Sequence, residues 1–289
     1  MTLAVTTWNV ESFATSSESY GAKLDHLTTV LRSLQPDVLA LQDVRDEQSV
    51  DELALKLDFA AAVVGMPDDR GSRVAVLLRR EPLEVHYLDK GFSRTPLRVV
   101  IEHAGQRLHI VTAHLDSKLA TVLGGRDLAE SEHERTRTLA RALERRVQEV
   151  VALREHITEL LAAEEPALLL ADLNDVPEAA TTQLLYGPPG CQPRGPSDRT
   201  NAQGTFQRGD RHDAQRLFNV ALLAPESDRW SRMAHGQREL LDHILASAAL
   251  MPREHGLRRT PAIEIRNGFT GEPDLAVPDH APVSAKFVI

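Results

Sequence analysis

Along the chain, short unbroken apolar runs alternate with stretches whose apolar residues recur every three or four positions. Leu3–Trp8 alternates and is rich in β-branched residues, so it reads as a strand, with Asn9, Val10 and Glu11 at its end. Tyr20–Leu34 carries Leu24, Leu27, Val30, Leu31 and Leu34, a helical stripe that Pro36 closes. Asp37–Gln42 is a second buried strand, and Gln42 and Asp43 stand at its end. A short helix over Val50–Leu57 follows and leads to Ala60–Gly65. Strands at Arg73–Arg79, Leu83–Asp89, Leu97–Glu102 and Leu108–Ala113 then succeed one another without a helix between them. Such a run points to an antiparallel meander inside a mixed sheet.

From Ser131 to Ala163 the residues Leu139, Leu143, Val147, Val150, Val151, Ile157, Leu160 and Leu161 mark one face of a long amphipathic helix, whose Arg and Glu residues read as its wet side. Ala167–Asp175 reads ALLLADLND, where an apolar run leads directly into Asp172, Leu173, Asn174 and Asp175 before Pro177 stops the extension. An unbroken apolar run of this length is a strand buried on both faces, and its end delivers a carboxylate and an amide to the rim of a sheet. Tyr186–Asp213 is rich in Gly, Pro, Arg and Asp and reads as a long irregular loop, a substrate-shaping flap or an insertion. Phe218–Leu223 reads as a further strand, and Leu240–Ser247, Pro261–Ile265 and Val283–Ile289 complete the set. Neither a repeat nor a linker interrupts the pattern, so residues 1–289 are expected to form one domain.

Composition narrows the chemistry. A chain of 289 residues that is 42% hydrophobic has ample material for a core. A formal charge of −9 and an aromatic content of 4% disfavour general affinity for long nucleic acid, while leaving room for a local basic groove. Cys191 is the only cysteine, which rules out a disulfide framework and a cysteine zinc site. No window approaches the apolar length of a membrane span, and the opening residues read as a strand rather than a signal peptide. A cytoplasmic protein without a membrane partner, monomeric by default, is the expectation.

Strand ends and starts carry acidic, amide or imidazole groups at Asn9 with Glu11, Asp43, His114, Asp172 with Asn174, Asp242-His243 and Asp279-His280. Singly, each has an ordinary explanation. Asn9 could cap a turn, Asp43 could open a solvated run, His114 could be a satisfied core histidine, and Asp279-His280 could form a turn. Asp175 reads as the cap of the next helix. Strand alternation sends Asp242 and His243 to opposite faces, with His243 the structural member. Burying so many polar groups one by one is costly, and a shared site explains them together. Carboxylates and amides without thiolates suit Mg²⁺ or Mn²⁺.

The pieces TTWNVESF (6–13), ALQDV (40–44), TAHLDSK (112–118), ADLND (171–175), LLDHILAS (240–247) and PDHAPVSAKF (278–287) together resemble the endonuclease/exonuclease/phosphatase superfamily of metal-dependent phosphoesterases, in order and across essentially the whole chain. The resemblance implies an α/β fold, a four-layer sandwich of two mixed, largely antiparallel β-sheets flanked by helices. It implies a metal set of Asn9, Glu11, Asp43 and Asp279, with Asp172 positioning or deprotonating the attacking water and Asn174 holding the phosphate. His280, oriented by Asp242, and His114 would polarise the phosphate. The family usually has Glu where this chain has Asp43, and the shorter side chain implies weaker metal affinity. Arg126, directly after Gly124 and Gly125, is a candidate clamp for substrate phosphate, and Lys118 reads rather as a solvated loop charge.

The reading is therefore a Mg²⁺-dependent hydrolase of phosphate esters, its substrate a nucleic acid, a nucleotide, or a sugar or lipid phosphate. Arg194, Arg199, Arg208 and Arg211 in the 186–213 loop are the basic groups expected to decide among these. The alternative is a non-catalytic binding module on the same fold.

Overall fold

A computed structural model describes residues 1–117, 131–187, 213–234, 236–251, 253–254, 257–269 and 276–289. In chain order the elements are β1 (Thr2–Phe13), α1 (Tyr20–Leu34), β2 (Val38–Val44), α2 (Glu47–Lys56), β3 (Ala61–Val64), β4 (Arg73–Leu78), β5 (Glu84–Tyr87), β6 (Leu97–His103) and β7 (Gln106–His114). There follow α3 (Glu132–Ala162), β8 (Ala167–Asp172), α4 (Ala180–Tyr186), β9 (Leu217–Asn219), β10 (Arg232–Ala234), β11 (Gln237–Glu239) and β12 (Asp242–Ser247). Short strands β13 (Arg253–Glu254), β14 (Leu257–Arg258) and β15 (Ala262–Ile265) precede the last strand, β16 (Val283–Val288).

Two six-stranded mixed sheets form the body, in the orders β15-β16-β1-β2-β4-β3 and β5-β6-β7-β8-β12-β9. Each has one parallel pair at its centre, β1 with β2 and β7 with β8, while the neighbouring pairings are antiparallel. A parallel pair needs a crossover, and α1 and α3 supply it. Between the sheets lies an apolar layer that includes Val5, Ala40, Val76, Ile110, Leu170 and Ile244. Helices α1 and α2 cover the outer face of the first sheet through Leu27, Leu31 and Leu53 against Leu39 and Leu41. Helix α3 covers the second sheet through Val150, Leu153 and Ile157 against Val111 and Leu169. This is the expected four-layer sandwich of helix, sheet, sheet and helix.

Four local expectations need correction. Strand β4 pairs in the first sheet while β5, β6 and β7 meander in the second, so the run of strands is divided between layers. Helix α2 begins three residues before Val50, because Asp46 caps it by accepting the Ser49 N–H. Only Leu217–Asn219 of the stretch around Phe218 is strand; Val220–Leu223 is a 3₁₀ turn that the Asn219 side chain caps.

The face of α3 differs most. Leu143, Val147 and Val151 are exposed, and the buried set is Ala142, Arg146, Glu149, Val150, Leu153, Ile157, Leu160 and Leu161. A series spaced by four rotates about 40° per step around a helix of 3.6 residues per turn, so Leu139, Leu143, Val147 and Val151 spiral off the contact line. Arg146 and Glu149, assigned to the wet side by the pattern, lie inside.

Among the described residues no helix is long and apolar enough to cross a membrane.

Candidate active site

In both sheets the central parallel strands end at the same edge. There β1 delivers Asn9 and Glu11, β2 delivers Asp43, β7 delivers His114 and β8 delivers Asp172. The antiparallel neighbours β12 and β16 start at that edge, which adds Asp242 and, just before β16, Asp279 and His280. Ladder register sets the spacing: His114 pairs with Asp172 across β7 and β8, and Asp172 with Asp242 across β8 and β12, forming one row of three side chains. Beneath, Gln42 donates to Thr112 at 3.1 Å and bonds Thr7, tying the two sheets together.

Asp172 is fully buried and held at both oxygens. Its Oδ1 accepts the Asn174 N–H at 2.8 Å, and its Oδ2 accepts the Asn9 side-chain amide, from the facing sheet, at 2.8 Å. Asn9 also accepts the Glu11 N–H at 3.0 Å, so it closes the turn after β1 and reaches the acidic centre at once. His114 Nε2 stands 3.5 Å from Asp172 Oδ2. Its Nδ1 is buried without a hydrogen-bond partner among the described residues, so His114 is not a satisfied core histidine there. Burial, assisted by the Arg94 guanidinium, pushes the His114 imidazole down to about 4.

His280 behaves oppositely. Its Nδ1 lies 2.6 Å from Asp242 Oδ2, and its backbone carbonyl accepts the buried Trp8 indole N–H at 2.8 Å. Burial works against its charge, yet the carboxylates of Asp242, Asp172 and Asp279 hold its imidazole up to about 10. Asp242 is located by Ser231, whose hydroxyl accepts the N–H groups of Leu241 and Asp242. His243 turns to the far face, where Nδ1 meets Asn219 and Nε2 meets the Asp175 carbonyl, each at 2.9 Å.

A second group of carboxylates lies on the rim. Glu11 accepts the Asp279 N–H at 3.2 Å, and burial together with the Asp279 charge pushes the Glu11 carboxyl upward. Asp279 is met by Arg232 at 3.0 Å, and Lys23 donates to the Glu11 carbonyl at 2.6 Å. Asp43 has both oxygens engaged: Oδ1 with Ser72 (2.8 Å) and Arg45 (3.0 Å), Oδ2 with the Ser12 N–H (2.9 Å). Burial disfavours the Asp43 anion, but His114, itself protonated in the acid range, together with Arg45, Ser72 and Ser12 holds the carboxyl below its usual value. Glu11, Ser12, Asp43 and Asn174 all have positive φ, between 45° and 58°, so the backbone is strained at the edge that carries the polar groups.

For a divalent ion the donor chemistry of Glu11 and Asp279 fits: two oxygen carboxylates close enough to repel, beside Asn9. The buried trio Asp172, Asp242 and His280 has its ligand atoms within 4.8 Å of one another, but His280 and Asp242 are already bonded to each other. Asp43, as arranged, offers no free oxygen. Asn174 gives its amide N–H to the Leu115 carbonyl at 2.9 Å. Arg126, Lys118 and Arg194, Arg199, Arg208 and Arg211 lie outside the described residues.

Asp175 is not a helix cap. Its carboxylate takes Arg146 at 2.9 Å and the Thr181 hydroxyl at 2.7 Å, and α4 starts from Ala179 without a side-chain cap. The sequence pattern does not mark Arg45, Arg94, Arg146, Glu149 or Arg232. Each sits in a charged stretch whose pattern matches a solvated surface.

An edge of convergent carboxylates, amides and imidazoles on an α/β/β/α sandwich defines a phosphoesterase-type fold. Residues 6–264 match the model of the Endonuclease/Exonuclease/phosphatase family, and the chain belongs to that family. Its members are generally hydrolases of phosphate esters and generally depend on a divalent metal. A humanized D. rerio TDP2 carrying 14 mutations has a similar structure, with TM-score 0.65 and 16% identity over 100% of this chain and 99% of that one. D. rerio TDP2 complexed with single strand DNA product gives TM-score 0.64 and 18% identity over 100% and 99% of the two chains. The human Nocturnin catalytic domain with bound sulfate anion gives 0.62 and 14% over 99% and 93%. No curated protein matches the chain in sequence.

Proposed function

We propose that this chain is a divalent-metal-dependent phosphoesterase that hydrolyses a P–O bond by in-line attack of water. The observation that carries this reading is the convergence of a fixed buried carboxylate and an imidazole that is itself bonded to a second buried carboxylate. Asp172 is immobilised by Asn9 and the Asn174 N–H, and His280 is held by Asp242, the ladder neighbour of Asp172.

Asp172 then aims and deprotonates the attacking water from a carboxylate with little rotational freedom. His280, kept charged by its three carboxylates, meets the negative charge that grows on the phosphoryl oxygens. Neutral His114 lies beside Asp172 and donates to a non-bridging oxygen, while Asn174 borders the same space. Glu11 and Asp279, next to Asn9, would hold Mg²⁺ or Mn²⁺, with Asp43 able to join only by releasing Ser72 or Arg45. A bound ion supplies Lewis-acid neutralisation at a phosphoryl oxygen.

A phosphate ester is the substrate class. The single strand DNA product in the D. rerio TDP2 complex supports a nucleic acid among the candidates.

The test is hydrolysis of bis(4-nitrophenyl) phosphate with Mg²⁺ or Mn²⁺, before and after chelation, by the intact chain and by Asp172→Ala. Activity that survives both chelation and the substitution would falsify the mechanism. Inactivity of the folded protein across nucleic acids, nucleotides and phosphorylated headgroups would favour a binding module instead.

A further inference from the structure

Helix α3 brings two charged side chains to the back of the site that the reaction as proposed does not use. Arg146 and Glu149, one turn apart on one face, are both buried. Arg146 donates from Nε and Nη2 to the Asp116 carbonyl at 2.9 and 2.6 Å, and from Nη1 to the Asn174 carbonyl at 3.2 Å and Asp175 Oδ2 at 2.9 Å. Glu149 accepts the Asp116 N–H at 3.1 Å on Oε2, and the Ser93 N–H and hydroxyl at 2.9 and 2.6 Å on Oε1. The peptide groups on either side of Asp116 are thus gripped by an Arg and a Glu of one helix.

The rest of that loop is equally accounted for. Arg94 donates to the carbonyls of His114 and Leu115 at 3.1 and 3.3 Å, and the Leu115 N–H goes to the Asp172 carbonyl at 3.1 Å. Asn174 Nδ2 takes the Leu115 carbonyl as well. A buried loop must satisfy its backbone polar groups, and water could do that for most surface loops. Here fixed charges do it, and they bridge the His114–Asp116 loop to the Asp172–Asp175 loop, whose Asn174 is held at φ 52°.

We propose that Arg146 and Glu149 are positioning residues: by clamping the main chain at Asp116 and Asn174, they set where His114 and Asn174 stand relative to Asp172. The proposal rests on the phosphoesterase reading for its kinetic consequence, but its structural content stands apart from it. Displacement of a reacting group by about 1 Å costs about 100-fold in rate, so the clamp should be visible in kcat rather than KM.

The experiment compares Arg146→Lys, Glu149→Gln, Arg146→Ala and the packing control Val150→Ala, which thins the same helix's apolar contact with the sheet. Gln presents one acceptor where Glu149 uses two, so Asp116 or Ser93 loses its partner. With bis(4-nitrophenyl) phosphate, Arg146→Lys and Glu149→Gln should lower kcat by about 10- to 100-fold with KM little changed. Added guanidinium should restore part of the kcat of Arg146→Ala, and Val150→Ala should lose Tm but not kcat. In parallel, the ¹⁵N imidazole resonances of His114 in metal-free protein should move in Arg146→Lys and Glu149→Gln and stay put in Val150→Ala.

The proposal is overturned if both clamp variants keep kcat within about 2-fold of wild type, or if Val150→Ala, at equal loss of Tm, loses as much. If the wild type hydrolyses no phosphate ester, the reading of the site fails, and the His114 resonances alone decide the clamp: moved, it stands; unmoved, it falls. Should Arg146→Ala not fold, the two conservative variants carry the same comparison.

Discussion

His280 Nδ1 and Asp242 Oδ2 are 2.6 Å apart and both residues are buried; Asp242 opens β12 of one sheet, and His280 lies just before β16 of the other. The contact therefore crosses the sandwich, and it fixes the imidazole close beside Asp172. Replacing Asp242 by Asn keeps the shape and removes one of the charges that hold His280 cationic. The His280 pKa should fall from about 10 toward its ordinary value. Activity that depends on the imidazolium should then lose its alkaline limb at lower pH, with kcat down by about 10²- to 10⁴-fold. A pH–rate profile of Asp242→Asn that keeps the wild-type alkaline limb would remove the charge from His280's role.

Asp172 is expected to respond differently to two substitutions. Asp172→Asn should abolish nearly all turnover, because an amide cannot take a proton from water. Asp172→Ala additionally strands the Asn9 amide and the Asn174 N–H, two buried donors. Each unmet buried donor costs about 1–3 kcal/mol, so Asp172→Ala should be less stable than wild type by a few kcal/mol. Urea unfolding checks this. If Asp172→Ala matches wild type in stability, the two donors are not relying on that carboxylate.

Stability should fall in acid through His114. Its folded-state pKa of about 4 lies below the ordinary 6.5, so between those values the unfolded chain binds the proton and the folded one does not. Its stabilising share is complete above about pH 6.5 and is lost progressively toward pH 4. His243, also pushed down by burial, adds a contribution of the same sign. Unfolding free energies measured from pH 7 to 4.5 should drop by a few kcal/mol, and His114→Gln should flatten that slope. An unchanged slope in the variant would assign acid sensitivity elsewhere.

The face of α3 can be checked without assaying function. Leu153→Ala should cost about 2–5 kcal/mol as a core truncation. Leu143→Ala, on the exposed side, should stay within about 0.5 kcal/mol of wild type. Thermal or urea denaturation distinguishes them, and equal costs would place the contact line nearer the one read from the apolar residues alone.

How far the chain could be read in advance varied with the kind of information required. Helix α1 was legible at both ends, Tyr20 and Leu34, because an apolar stripe and a following Pro36 are local signals. The strand-end polar groups were legible for the same reason, since Asp172 follows ALLLA directly and a buried run that ends in a carboxylate states its own boundary; the sandwich followed from the family resemblance of the motifs. Asp175 shows the limit. Its neighbours in sequence suggested a cap, while its partner, Arg146, lies 29 residues earlier and one layer away.

The sequence by itself determined which stretches become helix and strand, the family pattern, and the polar residues that stand at strand ends, since periodicity and short motifs are properties of neighbouring residues. Only the tertiary structure decided how those residues meet. Parallel pairing at the centre of each sheet brings four strand ends to one edge, and ladder register aligns His114, Asp172 and Asp242 in a row. It also turned Arg146 and Glu149 inward, where a charge that looks solvated in sequence becomes a partner for backbone groups far along the chain. The reason is physical: burial and hydrogen-bond pairing of a charge depend on what packs against it, and nothing in its local sequence specifies that surface.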